Sequence, residues 1–208
     1  GPENAPQALR QTRRQPIGEA PRPLAVLRLA RRRGRLRQSA ELGGEARIVC
    51  LDSKTLEHMA IRQVSFLKVL TERFGDKVTI VNDSDCQTRE SAMNVITSIS
   101  EPYDLIYAAS DSNAYGAISG LQQKGLTSIP VFACGGYGKE LFDALTVENG
   151  QFEGSIVVPG SSIVQSAYDQ LLKYLAGDTD IPERVDCEFY YIDRHDGAEV
   201  IALTKPAE

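Results

Sequence analysis

Short apolar runs alternate with amphipathic helical patterns from residue 46 onward, and this alternation limits the fold more than any other feature of the 208-residue chain. Predicted strands start near residues 46, 77, 103, 129 and 154, which is a spacing of about 25 to 30 residues. Helical patterns fill the intervals at 56–74, 87–99, 111–123, 138–146 and 162–177. Regular strand–helix alternation is typical of βαβ units with right-handed crossovers. We therefore predict an α/β fold in which a parallel sheet is flanked by helices on both faces, with a last strand at 183–193.

Polar residues follow the predicted strand at 103–109. The stretch "DLIYAASDSNAYGAISGL" (104–121) passes from an apolar run through Ser110 to Asn113 into a helical pattern. In parallel sheets of this class, ligands bind outside the carboxyl ends of the strands. Asp111 or Ser112 is expected to cap the helix, and the first helical amides would then point into the crevice. The sequence thus predicts a ligand site at this edge of the sheet.

Three of the helical patterns carry an apolar stripe. The stripe of the first predicted helix comprises Ala60, Val64, Leu67, Leu70 and Phe74. The stripe of the second predicted helix comprises Ala92, Val95, Ile96 and Ile99. The stripe of the last predicted helix comprises Ile163, Ala167, Leu171, Leu172 and Leu175. Leaving several side chains of this last stripe in water costs about 1.5–3 kcal/mol each, so the stripe is expected to be covered.

Charge divides the chain into two parts. Residues 1–40 hold ten Arg, no Lys and two Glu, whereas the remainder holds 13 basic and 26 acidic residues. We interpret 1–40 as an Arg/Pro-rich segment that is poorly ordered or non-native, 41–195 as the folded domain and 196–208 as a C-terminal tail. A basic arm contacting nucleic acid or anionic lipid is the alternative for 1–40. The acidic body makes nucleic acid an unexpected partner.

Motifs for catalysis, metals and cofactors are missing from the sequence. The four cysteines, Cys50, Cys86, Cys134 and Cys187, have spacings that match no zinc pattern. Three of the four lie in or at the end of strand-like runs and are expected to be buried structural thiols. "CGGYGKE" (134–140) lacks the third glycine of a dinucleotide fingerprint and the ending of a P-loop. There is no Gly-x-Ser-x-Gly elbow and no His–carboxylate cluster. We predict no catalytic residues, no metal and no cofactor, and hence no enzyme.

Two stretches carry a resemblance to a known family. "YAASDSNAYGA" (107–117) and "GSIVVPGSSIVQSA" (154–167), with the order of strands around them, resemble the second lobe of type I periplasmic sugar-binding proteins of the ribose-binding group. The same fold serves as the effector domain of the lactose-repressor family. The resemblance covers about residues 41–195 and implies a Rossmann-like lobe. In that family two lobes close on a ligand, and this chain resembles one of them.

The resemblance also implies ligand contacts. Cys86 or Gln87 stands where an aromatic residue often stacks on a sugar, and Ser110-Asp111 stand for an Asn-Asp pair. A ligand-holding arginine is common near Met59-Ala60 and is missing there. Arg62 is expected to be an ion-pair partner on its helix, near the crevice. The predicted site comprises Met59, Arg62, Cys86, Gln87, Ser110, Asp111, Gly135, Gly136 and Val158.

Gly135 and Val158 replace, respectively, an Asp and a polar residue of the family. With these anchors smaller or apolar, the fold resemblance is stronger than the resemblance of the sugar site. Binding would then depend on Gln87, Ser110, Asp111 and backbone amides near Gly135-Gly136, or the ligand is not a simple pyranose.

The function implied is that of a solute-binding component of an ABC-type importer, with a sugar or polyol as ligand and a transporter permease as a further partner. The effector half of a transcription regulator is the alternative, and an α/β enzyme ranks lower. Transport implies a periplasmic or extracellular location, and regulation a cytoplasmic one. Residues 161–193 are expected to pack on a first lobe or a partner chain. The helix at 162–177 would dock on this lobe, swap into a second copy, or drive self-association through 161–177.

Overall fold

A six-stranded sheet forms the centre of the computed structural model, which describes residues 45–158, 160–185 and 189–194. The strands are β1 (Ala46–Asp52), β2 (Val78–Asp85), β3 (Leu105–Ala108), β4 (Val131–Gly136), β5 (Phe152–Val157) and β6 (Tyr190–Asp193). Their spatial order is β2-β1-β3-β4-β5-β6. The first five strands are parallel, and β6 runs antiparallel to β5. The α/β prediction is confirmed. The predicted last strand is shorter than expected, because it starts at Tyr190 and residues 183–185 lie outside any strand.

Five α-helices connect the strands. They are α1 (Glu57–Phe74), α2 (Arg89–Ser98), α3 (Asp111–Gln123), α4 (Lys139–Thr146) and α5 (Gly160–Leu175). The cap predicted for α3 is wrong by one position: Ser110 is the N-cap, and its hydroxyl accepts a hydrogen bond from the Asn113 amide at 3.1 Å. Ser110 has the extended backbone that an N-cap requires, whereas Asp111 is already the first helical residue.

The two faces of the sheet bury separate apolar clusters. On one face, residues of β1, β3, β4 and β5 pack beneath α2, α3 and α4, with Leu51, Ile106 and Phe152 among those buried. On the other face, α1 covers Ile48, Cys50 and further residues of β1 and β3. Burial on both faces is the reason that these parallel strands are apolar throughout rather than alternating.

Helix α1 packs on the sheet through Leu67, Leu70 and Phe74 of its predicted stripe, but not through Val64. Val64 is 63% exposed, whereas Met59, Gln63 and Leu70 are buried. The Gln63 side chain lies beneath the helix, where its amide donates a hydrogen bond to Asp83 on β2. The prediction that Val64 faces the core is therefore wrong, because Gln63, with its hydrogen bond to Asp83, is buried in its place.

The apolar stripe of α5 stays in solvent. Seven of its large apolar side chains are between 47% and 70% exposed: Ile163, Val164, Tyr168, Leu171, Leu172, Tyr174 and Leu175. Three arrangements are predicted for this helix. The described residues do not show the one in which it docks on its own lobe.

Among the described residues, no helix is long and apolar enough to cross a membrane.

Candidate functional site

The carboxyl edge of the sheet gathers the residues that the sequence singles out. Gln87 follows β2, Ser110 and Asp111 follow β3, and Val158 follows β5. Gly135 and Gly136 end β4, while Met59 and Arg62 come from the first two turns of α1. Parallel strands bring these ends together, so positions about 100 residues apart share one edge.

Arg62 reaches the centre of this edge. Its Nη1 atom donates hydrogen bonds to the carbonyl oxygens of Ala109 and Cys134, each at 3.0 Å, and lies 3.3 Å from the sulfur of Met59. The expectation that Arg62 is an ion-pair partner is wrong, because within the described residues its guanidinium binds the carbonyl ends of β3 and β4. Those hydrogen bonds all use Nη1, which leaves Nε and Nη2 for other acceptors.

Gly135 makes room for the guanidinium. A Cβ atom at this position would lie 2.3 Å from Nη1 of Arg62, and the backbone has a φ of +97°. Both the close approach and the positive φ require glycine. The aspartate that the resemblance expects here would therefore displace the arginine.

Asp111 lies beside the same glycine pair. A Cβ atom at Gly136 would be 2.9 Å from Cβ of Asp111, and the Asp111 carboxylate accepts a hydrogen bond from the Ser112 amide at 2.9 Å. The pair Gly135-Gly136 is thus flanked by a guanidinium on one side and a carboxylate on the other. A donor group and an acceptor group thus both lie at the carboxyl end of β4.

Cys86 and Gln87 have different environments. The Cys86 side chain is buried in the apolar core. The backbone carbonyl oxygen of Cys86 accepts a hydrogen bond from the buried side-chain amide of Asn113 at 3.0 Å. Gln87 is exposed and donates to the Thr55 hydroxyl at 2.8 Å. The sequence did not predict the hydrogen bond between Asn113 and Cys86, which connects the loop after β2 to α3. Its only indication in the sequence was that Asn113 belongs to the polar cluster at 110–113.

A second group of charges lies at the ends of β1 and β2. Asp52 is buried and accepts a hydrogen bond from the Ser53 amide. Burial, with a smaller contribution from Asp83, raises the pKa of Asp52. Lys54 lies 3.3 Å from the Asp83 carboxylate, and its amide binds Asp85 at 3.0 Å. Among the described residues, no group of His, Cys, Asp or Glu side chains could hold a metal ion.

The described cysteines are structural in character. Burial raises the pKa of Cys50 to about 12 and that of Cys86 to about 11, and it also raises the pKa of Cys134. All three are free thiols and stay protonated at neutral pH. Cys187 lies outside the described residues.

A family model described as "periplasmic binding protein domain" matches residues 39–179. The chain belongs to this family. The match spans the five parallel strands and reaches just beyond α5, so the carboxyl edge described above is part of the periplasmic binding protein domain. No curated protein matches the chain significantly.

Solved structures show the same fold. A solute-binding protein from Actinobacillus succinogenes with bound D-allose aligns with a TM-score of 0.67 and 20% identity over 77% of this chain and 57% of its own. The periplasmic binding protein component of an arabinose ABC transporter from Shewanella sp. aligns with a TM-score of 0.66 and 17% identity, over 84% of this chain and 62% of its own. A solute-binding protein from Agrobacterium vitis with bound allitol aligns with a TM-score of 0.66 and 19% identity, over 81% of this chain and 61% of its own. The present chain therefore spans less than two thirds of the length of these periplasmic binding proteins.

Proposed function

We propose that this chain is the ligand-binding lobe of a solute-binding protein that delivers a sugar or polyol to an ABC-type importer outside the cytoplasm. Membership of the periplasmic binding protein family supports binding rather than catalysis. The similar solved structures are those of ABC transporter proteins with D-allose, arabinofuranose or allitol bound. These ligands favour transport over the alternative of a transcription regulator.

The observation that carries the proposal is that the Arg62 guanidinium lies against Gly135 and the Asp111 side chain lies against Gly136, both at the carboxyl end of β4. Neighbouring hydroxyls of a sugar or polyol each need a donor or an acceptor when water is removed. The free guanidinium nitrogens of Arg62 would donate to one hydroxyl oxygen, and the Asp111 carboxylate would accept from the next. Gln87 at the rim would add a further polar contact.

Arg62 also supplies the guanidinium expected near Met59-Ala60. It stands one helical turn further along α1 than the resemblance implies, and residues three apart on a helix lie on one face. The sequence indicated that the site had lost an arginine. In this proposal, Arg62 supplies that arginine from a position further along the same helix.

A thermal-shift screen of the 208-residue chain against D-allose, arabinose, allitol and myo-inositol tests the function. A ligand at 100 times its dissociation constant adds about 2.7 kcal/mol of stability, which a melting curve detects easily. A shift with at least one of these compounds supports solute binding. A cooperative melt that no compound moves at millimolar concentration contradicts binding of these compounds by this lobe alone.

Two variants locate the site. Arg62→Lys keeps the charge but removes the fork of donors, and it should abolish the ligand-induced shift while the protein still melts cooperatively. Arg73→Lys is the matched control, since Arg73 is exposed in the last turn of the same helix. Equal ligand shifts in both variants would place the site elsewhere.

A further inference from the structure

An aromatic residue directly follows the glycine pair of the candidate site. Tyr137 comes immediately after Gly136, the last residue of β4. The Asp111 side chain lies against Gly136, and the Arg62 guanidinium lies against Gly135. Tyr137 therefore stands at the carboxyl edge of the sheet, one residue beyond the position that Asp111 contacts and two beyond the position that Arg62 contacts.

The Tyr137 ring is held by a buried ring of α4. The centroids of Tyr137 and Phe142 are 5.7 Å apart, and their planes meet at 81°. Phe142 is the fourth residue of α4 and is buried, while Gly138 is the N-cap of the helix. A contact between the residue before the N-cap and the fourth helical residue is a hydrophobic staple. The staple needs an apolar side chain at residue 137, but it does not need an aromatic one.

Much of the Tyr137 side chain remains in solvent. It is 43% exposed, although Phe142 beneath it is buried. Among the large apolar and aromatic side chains that are exposed in the described part of the chain, it is the one that directly follows a strand of the sheet. Ligand pockets combine aromatic surface with a few polar groups that fix orientation. Tyr137 supplies the aromatic surface at the edge where Arg62 and Asp111 supply the polar groups.

Tyr137 and Asp111 lie on the same side of the sheet. Asp111 begins α3 and Phe142 belongs to α4, and both helices cover one face, whereas Arg62 comes from α1 on the other face. Burial, together with the carboxylates of Asp111 and Glu140, raises the pKa of Tyr115. The first turns of α3 and α4 therefore lie close to each other. A ligand in contact with the Tyr137 ring would meet Asp111 on its own side and Arg62 across the end of β4.

We propose that Tyr137 is the stacking surface of the ligand site, and that the ligand is a sugar in its ring form rather than an open-chain polyol. A sugar ring carries C–H groups on its faces, which the electron-rich face of an aromatic ring attracts, while its hydroxyl groups point outward from its edge. An open-chain polyol must lose several internal rotations to lie flat on the same ring. This inference rests on the proposed solute-binding function and narrows its ligand class.

Dissociation constants from thermal-shift titrations at millimolar ligand test the ring preference. The two pairs are D-allose with allitol, its reduced open-chain counterpart, and arabinose with arabitol. We expect the parent chain to bind a sugar about tenfold more tightly than the polyol derived from it. In NMR spectra of the parent chain, the bound sugar should also shift the ring resonances of Tyr137. Those resonances are identified by their absence from the Tyr137→Phe variant.

Three variants separate stacking from the staple. Tyr137→Leu keeps an apolar contact for Phe142 but has no ring, so it should bind the sugar about tenfold more weakly and the polyol within about twofold of the parent. Tyr137→Phe keeps the ring and should bind the sugar as the parent does. Tyr174→Leu is the matched control, because Tyr174 is a 69% exposed tyrosine near the end of α5, and it should leave binding unchanged. Melts without ligand verify that each variant folds.

The outcomes distinguish this inference from the proposed function. If Tyr137→Leu binds the sugar as tightly as the parent, Tyr137 serves only the staple, and the stacking role is overturned while solute binding stands. A parent chain that prefers the polyol in both pairs, or Tyr137 resonances that do not move when the sugar binds, has the same consequence. A parent chain that binds none of the four compounds contradicts sugar binding by this lobe alone, and the stacking role with it.

Discussion

Replacement of Gly135 by alanine should both destabilise the protein and empty the candidate site of its guanidinium. The new methyl group would lie 2.3 Å from Nη1 of Arg62. The guanidinium is the far end of a flexible side chain, so it would swing away rather than distort the strand. In doing so it would give up the carbonyl oxygens of Ala109 and Cys134.

The expected loss has two parts. An L-residue held at a φ of +97° costs about 1–2 kcal/mol. Hydrogen bonds from a charged donor contribute about 1.5–3 kcal/mol when buried, and the partial exposure of Arg62 reduces this to about 1 kcal/mol. A total of about 2–3 kcal/mol corresponds to a fall in melting temperature of about 5–10 °C for a domain of this size.

Gly125→Ala is the matched control. Gly125 also has a positive φ, +69°, but a Cβ atom there would have nothing within 4 Å. It should therefore show the backbone strain alone, roughly half of the loss. Thermal melts of both variants, with and without ligand, measure the difference. Only Gly135→Ala should also abolish ligand binding.

An Arg62→Ala background completes the test. There the methyl group at residue 135 meets no guanidinium, so its additional cost should fall to that of Gly125→Ala. The reasoning is refuted if Gly135→Ala and Gly125→Ala are equally destabilising in the parent chain, or if the extra cost persists without the arginine.

Three further predictions concern the core and its titrating groups. Asp52→Asn should raise the melting temperature at neutral pH. Burial raises the pKa of Asp52, so the contribution of this carboxyl group to stability falls as the pH rises from its unfolded-state pKa through its folded-state pKa. Equal effects of the substitution at about pH 4 and about pH 8 would contradict this. With pKa values of about 12 for Cys50 and about 11 for Cys86, these two thiols should react slowly with a thiol reagent at neutral pH in the folded chain. Rapid reaction of more than two of the four thiols would argue against their burial. Gly116→Ala should lower the free energy of unfolding, measured in urea, by about 1–3 kcal/mol or more, because the new methyl group would lie 2.2 Å from a backbone oxygen of α2. Gly160→Ala is the control and should have little effect, because a Cβ atom there would have nothing within 4 Å.

The orientation of side chains on the helices could be predicted only in part. On α2, Ala92 and Ile96 are buried as their spacing indicates. On α1, the same reasoning chose Val64, but Gln63 is the buried residue because Asp83 on β2 offers its amide a hydrogen bond. A contact between residues 20 positions apart does not appear in a helical pattern.

The site shows the same division. Ser110, Asp111 and Gly135 could be located from the sequence because each lies at or within three residues of the carboxyl end of a strand of a parallel sheet. The partners of Arg62 could not, since its guanidinium binds carbonyl oxygens on two other strands, 47 and 72 residues away.

The sequence alone determined the α/β architecture and the edge at which the candidate residues lie, because the length and spacing of apolar runs depend on local chemistry. Only the tertiary structure decided which atoms meet there. It placed the guanidinium of Arg62 over Gly135, set Asp111 against Gly136, and left the stripe of α5 in solvent. Those outcomes depend on the packing of distant elements against one another, and no pattern along the chain records that packing.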